Sequence, residues 1–343
     1  MQDIKELNLK ELEGFLAKYS IPSFHAKQIF SWIYKKQVAN FEAMSDLSQD
    51  LRKFLEENFY ICDLRLIERR KSKDGTEKYL FKLKDGNLIE GVTIPTEKRI
   101  TGCISSQAGC KYSCRFCASG LFGFKRNLST GEILDQVLHL RNNSGERSLT
   151  HIVFMGIGEP LDNFDNVLKA IKIINSSYAF NIAARRITIS TCGIVPAINK
   201  LADEELQIEL SVSLHAADDK TREYLMPINK KYPLKELIKT CKEYIKKTNR
   251  QITFEYVLIK GINSDLQNAR NLSKMLKDLR LSKVNLMPAN TNKELKMEPP
   301  NKLDILFFRD FLLKQGINAI LRKPRGQDIE AACGQLRLRY EKK

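Results

Sequence analysis

Strand-like and helix-like segments alternate along the chain from residue 99 to residue 315, and this alternation constrains the fold more than any other feature. Six strand–helix units in succession predict an α/β fold with a parallel sheet, because a helix is the usual crossover between parallel strands. Periodicity alone leaves two architectures open, a doubly wound sheet and a partial barrel. We expect strands near residues 99–105, 151–155, 185–190, 208–213, 251–258 and 283–287, and helices near 129–142, 164–176, 194–202, 233–248, 264–279 and 301–315.

The first 60 residues differ from the rest because their patterns predict only helices. Asn8, Ser23 and Ser48 each precede apolar residues at helical spacing, so each is a candidate N-cap. Beyond them, Asp74-Gly75 and Asp85-Gly86 are hairpin turn signals between short apolar runs. We predict a small helical N-terminal domain at 1–60, a β-meander extension at 61–97, the strand–helix region at 98–316, and a C-terminal segment at 317–343.

The formal net charge of the chain is +16, and basic pairs recur along its whole length. One pair alone is an ordinary solvated surface, but a broad positive surface favours a polyanionic partner. Nucleic acid fits better than a membrane, because no segment resembles an amphipathic anchor with an apolar Trp/Leu face. The basic residues within 1–60 make that module a candidate RNA-binding accessory domain.

The sequence shows no membrane segment, since it has no apolar signal region at its start and no run of about eighteen apolar residues. We therefore expect a cytoplasmic protein. Eight cysteines in that compartment indicate metal or redox chemistry more than a structural disulfide framework. Cys62, Cys192 and Cys241 stand outside any motif, and we expect buried structural thiols there.

The motif Cys110-Lys-Tyr-Ser-Cys114-Arg-Phe-Cys117 lies in the loop that follows the first strand of the alternating region. Three thiolates this close can hold three irons of a cubane and leave the fourth iron without a protein ligand. A zinc site would need a fourth ligand, and the nearest candidates, Cys103 and His139, fit no common zinc spacing. The spacing favours an iron–sulfur cluster over zinc, and zinc over chance.

Polar residues follow several of the predicted strands at the end where barrel active sites form. Each alone is a weak signal, but together they predict one ligand-binding rim. The segment Met155-Gly-Ile-Gly158-Glu159-Pro160 follows the second strand, and its carboxylate is a candidate acceptor for a ligand amino group. The other members are Ser190 after the third strand, Ser213-Leu214-His215 after the fourth, and Asn290 after the sixth.

The cysteine motif, with the aromatic Phe116 before its last cysteine, resembles the signature of the radical S-adenosylmethionine (SAM) superfamily. Gly158-Glu159-Pro160 resembles the "GGEP" segment with which that superfamily binds SAM. The resemblance implies a partial (βα)6 TIM-like barrel, a [4Fe–4S] cluster on Cys110, Cys114 and Cys117, and SAM as the second cofactor. SAM would chelate the open iron, and an electron from the cluster would cleave it to a 5′-deoxyadenosyl radical.

Two further cysteine segments resemble one branch of that superfamily, the RlmN/Cfr family of RNA methyltransferases. They are Thr-Gly-Cys103-Ile-Ser-Ser-Gln-Ala-Gly-Cys110 and Asp-Ile-Glu-Ala-Ala-Cys333-Gly-Gln-Leu. The resemblance implies that Cys333 accepts a methyl group from SAM and that its thiomethyl carbon, as a radical, adds to an adenine. It implies that Cys103 then attacks the Cys333 sulfur, forming a disulfide that a reductant must reset. Glu90 matches the family's general base.

The resemblance also implies the substrates, which are adenines of 23S rRNA and tRNA. Pro160 and the segment Lys-Pro-Arg-Gly before Cys333 favour methylation at C2, the RlmN type, over C8, the Cfr type. We expect a monomer served by a flavodoxin- or ferredoxin-like electron donor. A non-catalytic iron–sulfur or zinc RNA-binding protein is the rival of another class, but it would not need Cys103, Cys333 or the rim. A methylthiotransferase would bring further cluster cysteines.

Overall fold

The computed structural model describes residues 1–121, 123–143, 148–290, 297–329 and 335–341, and the side chains of 338, 339 and 341 are not described. The chain begins with β1 (Gln2–Asp3), the helices α1 (Leu9–Ala17), α2 (Phe24–Ser31) and α3 (Gln49–Asn58), and β2 (Phe59–Tyr60). An antiparallel meander follows, comprising β3 (Arg65–Lys71), β4 (Glu77–Lys82) and β5 (Leu88–Pro95).

The strand–helix region starts with β6 (Ile100–Cys103), a hairpin of β7 (Gln107–Gly109) and β8 (Phe124–Asn127), and α4 (Thr130–Asn142). It continues with β9 (His151–Phe154), α5 (Phe164–Asn175), β10 (Ile187–Thr191), α6 (Val195–Asp203), β11 (Glu209–Ser213), α7 (Asp219–Leu225), α8 (Leu234–Thr248) and β12 (Ile252–Leu258). The last elements are α9 (Leu266–Leu276), β13 (Ser282–Pro288), α10 (Lys302–Lys314), β14 (Ala319–Leu321) and α11 (Gln335–Glu341).

The strand order selects the barrel over the doubly wound sheet. Across the main sheet of the described residues the order is β14-β13-β12-β11-β10-β9-β6-β5-β4-β3. From β6 to β14 every pair in this sheet is parallel, and the strands of the sheet follow one another in chain order, with the β7–β8 hairpin inserted between β6 and β9. A doubly wound sheet would reverse its order at a switch point. The order therefore indicates a partial barrel, which the meander extends at the β6 edge.

The N-terminal helices begin largely where the sequence predicts. The Asn8 side chain accepts from the backbone N–H of Glu11, and Glu11 returns the bond in a capping box. The Ser48 side chain caps α3 by accepting from Leu51. Ser23 also precedes a helix but makes no side-chain cap bond, because its backbone is already helical, with φ −61° and ψ −25°.

Several short elements of the described residues were not predicted from the sequence: the parallel pair β1–β2 in the region expected to hold only helices, the β7–β8 hairpin, α7 and α11. Each is short, and α7 and α11 span only 7 residues each, which is too few for a helical period to stand out. The hairpin interrupts the first strand–helix connection and carries the cysteine motif between its two strands. None of the helices in the described residues has the length and apolar character that a membrane crossing requires.

A buried ion pair joins the N-terminal segment to the barrel. The Lys5 ammonium donates to the carboxylate of Asp135 on α4 and to the backbone carbonyl of Cys62, and the Lys5 and Asp135 side chains are 1% and 3% exposed. The Glu6 carboxylate accepts from the backbone N–H of Gly131 at 2.8 Å, at the start of α4. Helix α4 is therefore the element to which the N-terminal segment is anchored.

Replacing Lys5 with Met should destabilise the protein strongly, because it leaves the Asp135 carboxylate buried without its counter-charge. Removing one partner of a buried pair costs about 3–5 kcal/mol of unfolding free energy. Denaturant unfolding measures that loss, and Lys10→Met, which removes an exposed lysine nearby, is the matched control. Equal midpoints for the two variants would show that the Lys5–Asp135 pair does not anchor the segment.

Candidate active site

The three motif cysteines lie on a compact loop between β7 and β8. Within it the backbone N–H of Cys117 donates to the carbonyl of Cys114 at 3.0 Å. The backbone N–H of Arg115 donates to the carbonyl of Leu225 at 2.9 Å, which ties the loop to the end of α7. Ser113 turns the loop with a φ of +50°. The loop is therefore held by the barrel as well as by its own turn.

The donor set of this loop fits an iron–sulfur cluster. Burial raises the pKa of the Cys110 thiol to about 12, and the neighbouring Cys117 thiol adds to the rise. Burial also raises the pKa of Cys114, again with the other two motif thiols contributing. Bound metal would offset the rise in the pKa of these thiols, because a metal deprotonates the thiols that it coordinates. Among the described residues, no three His, Cys, Asp or Glu side chains are arranged to hold a single metal ion. A cubane does not need such an arrangement, because each of its cysteine ligands binds a different iron.

The Gly158-Glu159 segment is packed against the hairpin that carries the motif. A Cβ at Gly158, where φ is +102°, would lie 2.5 Å from the Cβ of Gln107, so only glycine fits. The buried Glu159 carboxylate accepts from the backbone N–H of Cys192 at 2.7 Å and of Leu161 at 3.1 Å. Glu159 thus joins the ends of β9 and β10, and its remaining lone pairs are what it can offer a ligand.

His215 lies directly against the cysteine loop. Its ring meets that of Phe116 edge-on, with a centroid distance of 4.5 Å. Burial lowers the pKa of His215 to about 3, so the ring is neutral at physiological pH. Its Nδ1 accepts from the backbone N–H of Val257 at 3.0 Å, which assigns the remaining proton to Nε2. The ring that borders the cysteine loop is therefore fixed by β11, which it follows, and by β12, which carries Val257.

The other predicted rim residues lie at the carboxyl ends of their strands. Ser190 and Ser213 are half-buried at the ends of β10 and β11, and Asn290 is exposed just after β13. Leu214 is fully buried in the apolar core rather than open to a ligand. Its side chain thus contributes packing to the rim, and its backbone carbonyl contributes a hydrogen-bond acceptor.

Sequence reasoning missed Arg222 of α7, which is completely buried beneath this rim. Its guanidinium donates to the carbonyl of Cys192 at 2.8 Å and to the carbonyls of Ser213 and Leu214 at 3.2 Å each. It therefore links the ends of β10 and β11. An arginine on a 7-residue helix carries no sequence signal for such a role, which depends on contacts between distant segments.

Glu90 and Cys103 lie on one face of the sheet. Cys103 of β6 stands opposite Val92 of β5. Val92 follows Glu90 by two residues on the same strand, so Glu90 and Cys103 share a face and are diagonal neighbours. Gly91 and Gly102 belong to the opposite face of the sheet, the face that packs on α4. A Cβ at either position would lie within 3.4 Å of the Leu140 side chain on α4. The predicted base and the predicted resolving thiol thus share the face turned away from α4, and both are buried.

The Glu90 carboxylate is held by contacts to β4 and to α11. Its Oε2 lies 2.9 Å from the ammonium of Lys78, a fully buried lysine on β4 that sequence reasoning missed. Its Oε1 accepts from the backbone N–H of Arg337 on α11 at 2.7 Å. Cys333 lies outside the described residues, four positions before Arg337 in the sequence. The chain segment that follows Cys333 is therefore bound to Glu90.

The N-terminal residues and the barrel match different family models. Residues 2–61 match the ribosomal RNA large subunit methyltransferase N-terminal domain, and residues 104–272 match the radical SAM superfamily. A protein of Caldanaerobacter subterraneus subsp. tengcongensis named "Probable dual-specificity RNA methyltransferase RlmN" is 48% identical over 100% of this chain and 99% of its own length. A protein of Clostridium novyi with the same name is 47% identical over 99% of each chain. This chain belongs to the RlmN family of radical SAM methyltransferases.

A solved structure agrees with this family assignment. The crystal structure of a radical SAM methyltransferase from Sphaerobacter thermophilus superposes with a TM-score of 0.93 at 41% identity, covering 98% of this chain and 99% of that one. The predicted fold class and the predicted enzyme class are both confirmed. As in the rest of its superfamily, the cofactors of an RlmN-family enzyme are a [4Fe–4S] cluster and SAM, and its substrate is RNA. The individual roles of the site residues remain predictions.

Proposed function

We propose that this protein methylates C2 of adenine in 23S rRNA and tRNA through an S-methylcysteine on Cys333. One observation carries the proposal: the Glu90 carboxylate binds the backbone of the segment that follows Cys333, on the sheet face that also holds Cys103. A base, a resolving thiol and a methyl-accepting thiol are the three groups that this chemistry requires. An electron carrier or a zinc-stabilised RNA-binding module would need none of them.

The cofactors have defined places in this proposal. The cluster would be held by Cys110, Cys114 and Cys117. SAM would be surrounded by residues at the carboxyl ends of the strands, namely Gly158, Glu159, Ser190, Ser213, the backbone of Leu214, His215 and Asn290. When bound, cluster and SAM together supply the radical that activates the thiomethyl group. The neutral Nε2–H of His215 offers one hydrogen bond beside the cysteine loop, and Arg222 holds the carbonyls of Ser213 and Leu214 in place.

The chain's own residues perform the remaining steps. The Cys333 thiolate first attacks the methyl carbon of SAM, so that a bond to the Cys333 sulfur forms and S-adenosylhomocysteine leaves. Once the thiomethyl carbon has added to C2 as a radical, the adduct would give up one electron to the oxidised cluster. Glu90 then accepts the proton from that ring carbon, and the ring becomes aromatic again. The Cys103 thiolate then attacks the Cys333 sulfur, so that an S–S bond forms and the bond from sulfur to the bridging carbon breaks. The electron pair of the broken bond stays on the bridging carbon, which takes up a proton and becomes the methyl group. This releases the methylated base and leaves a disulfide for an external reductant.

We propose that the protein acts in the cytoplasm as a monomer and receives electrons from a flavodoxin- or ferredoxin-like donor. Transfer of labelled methyl groups from SAM tests the function. Reconstituted enzyme should transfer label to both a 23S rRNA fragment and tRNA. The transfer should occur only when reduced flavodoxin or ferredoxin is present. Failure to label either RNA, with the cluster fully loaded and reduced, would contradict the proposal.

RNA binding should weaken steeply with salt, because the net charge of +16 favours phosphate contacts that release counterions. The exposed Lys35 and Lys36 of the N-terminal domain are candidates for such contacts. Replacing both with Gln should reduce the slope of log affinity against log salt by roughly one to two units. Lys172 and Lys200, which pair with Glu204 and Asp165, provide the matched double control. An affinity that does not change with salt would argue against a phosphate-dominated interface.

A further inference from the structure

The Lys78–Glu90 pair is a buried charge pair inside the proposed catalytic face, and the mechanism above gives Lys78 no task. The side chains of Lys78 and Glu90 are 0% and 3% exposed, and the ammonium lies 2.9 Å from the carboxylate. Lysine is among the residues that proteins almost never bury completely unless they are paired. A lysine with no access to solvent, placed against a predicted general base, therefore calls for an explanation.

The strand register shows which other charges lie near this pair. Lys78 stands opposite Val92 on β5 and opposite Arg70 on β3, and Glu90 is the diagonal neighbour of Lys78. Arg70 pairs with Glu68 on its own strand at 2.6 Å. Helix α11 covers the same face, with the backbone N–H of Arg337 donating to Glu90. The Lys78 ammonium thus lies directly against the Glu90 carboxylate.

The charge of Lys78 matters because Glu90 has to be ionised to accept a proton. A carboxylate buried without a counter-charge takes up a proton instead, and a carboxylic acid cannot act as the base. The Lys78 ammonium, 2.9 Å from the carboxylate, supplies the counter-charge that a buried carboxylate needs. When the ring C–H bond breaks, its bonding pair stays in the ring and its proton moves to a Glu90 oxygen.

We propose that Lys78 is a positioning residue for the general base: it keeps Glu90 ionised and orients its carboxylate for removal of the ring proton. This inference rests on the function proposed above. It assigns Lys78 to one step only, because methylation of Cys333 by SAM and formation of the carbon bridge to the base both precede proton removal.

The test uses Lys78→Met and Lys78→Gln in the otherwise intact, cluster-loaded enzyme. Each should still form S-methylcysteine at Cys333, which peptide mass spectrometry detects. Each should make methylated RNA about 100-fold more slowly, the loss typical of a disabled general base. The missing product should appear as a covalent protein–RNA adduct on a denaturing gel, although Cys103 is present. The Gln variant keeps a hydrogen-bond donor without the charge, so it carries the test if the Met variant does not fold.

The controls separate this role from a structural one. Lys82→Met removes an exposed lysine from the same strand and should leave product and adduct unchanged. Lys78→Arg, which keeps the charge, should restore part of the turnover and reduce the adduct. Product at the normal rate from either neutral variant would overturn the proposal, as would S-methylcysteine falling in parallel with product. If instead the unaltered enzyme makes no product and Cys103→Ala gives no adduct, the proposed function itself has failed.

Discussion

Cys103→Ala should accumulate a covalent protein–RNA adduct, whereas Cys333→Ala should form neither adduct nor product. The two cysteines act at different steps of the proposed mechanism. Without Cys333 no thiomethyl group forms, so no carbon can bridge to the base. Without Cys103 the bridge still forms, but no thiolate attacks the Cys333 sulfur to release it. Cys103 is buried on β6, which pairs with the strand that carries Glu90.

A denaturing gel with labelled RNA measures this difference directly. Cys103→Ala should give a retarded band that protease removes, and Cys333→Ala should give only free RNA. Cys241→Ala is the matched control, because Cys241 is completely buried in the apolar core and should leave the reaction intact. Methylated adenine from Cys333→Ala would exclude the two-thiol mechanism for this protein.

Replacing any one of Cys110, Cys114 and Cys117 with Ala should abolish SAM cleavage and methylation together. Each thiolate would hold a different iron, so loss of one leaves the cubane incompletely ligated. The unaltered protein, reconstituted without oxygen, should contain about four irons and four sulfides per chain and absorb visible light. The single variants should lose most of that iron and absorption. The fold should persist, because all three residues lie on the loop between β7 and β8.

Cys192→Ala is the control for this set. Cys192 is buried against Glu159 near the motif, but it lies outside the Cys110–Cys117 spacing, so its variant should retain iron. Retention of the full iron content by a Cys114 variant would contradict the ligand assignment. Stoichiometric zinc without iron in anaerobically prepared protein would also contradict it.

The sequence was informative wherever a local signal determined the structure. Asn8 and Ser48 cap helices because short polar side chains satisfy the first free N–H groups of a helix. Asp74-Gly75 and Asp85-Gly86 turn the meander because both glycines adopt positive φ, at +82° and +87°. The six strand–helix units predicted a parallel sheet, but the choice of the barrel required the strand order, which is a property of long-range pairing.

The same limit applies to the site. The spacing of Cys110, Cys114 and Cys117 and the residues around Cys333 indicate the chemistry through the order of amino acids alone. Lys78 and Arg222 could not be found in that way. Their roles depend on partners that only folding brings close. Lys78 meets Glu90 on the adjacent strand. Arg222 meets the carbonyls of Cys192 and Ser213, which lie at the ends of two different strands. In the sequence, both look like ordinary surface cations.

Mass spectrometry of nucleosides tests the central claim most directly. The reconstituted enzyme is incubated with SAM, a reductant and either a 23S rRNA fragment or tRNA, and the RNA is then digested and compared with synthetic standards. Our account predicts 2-methyladenosine from both RNAs and none from the Cys333→Ala enzyme. Detection of 8-methyladenosine, or of no methylated adenosine from a fully loaded and reduced enzyme, would contradict it.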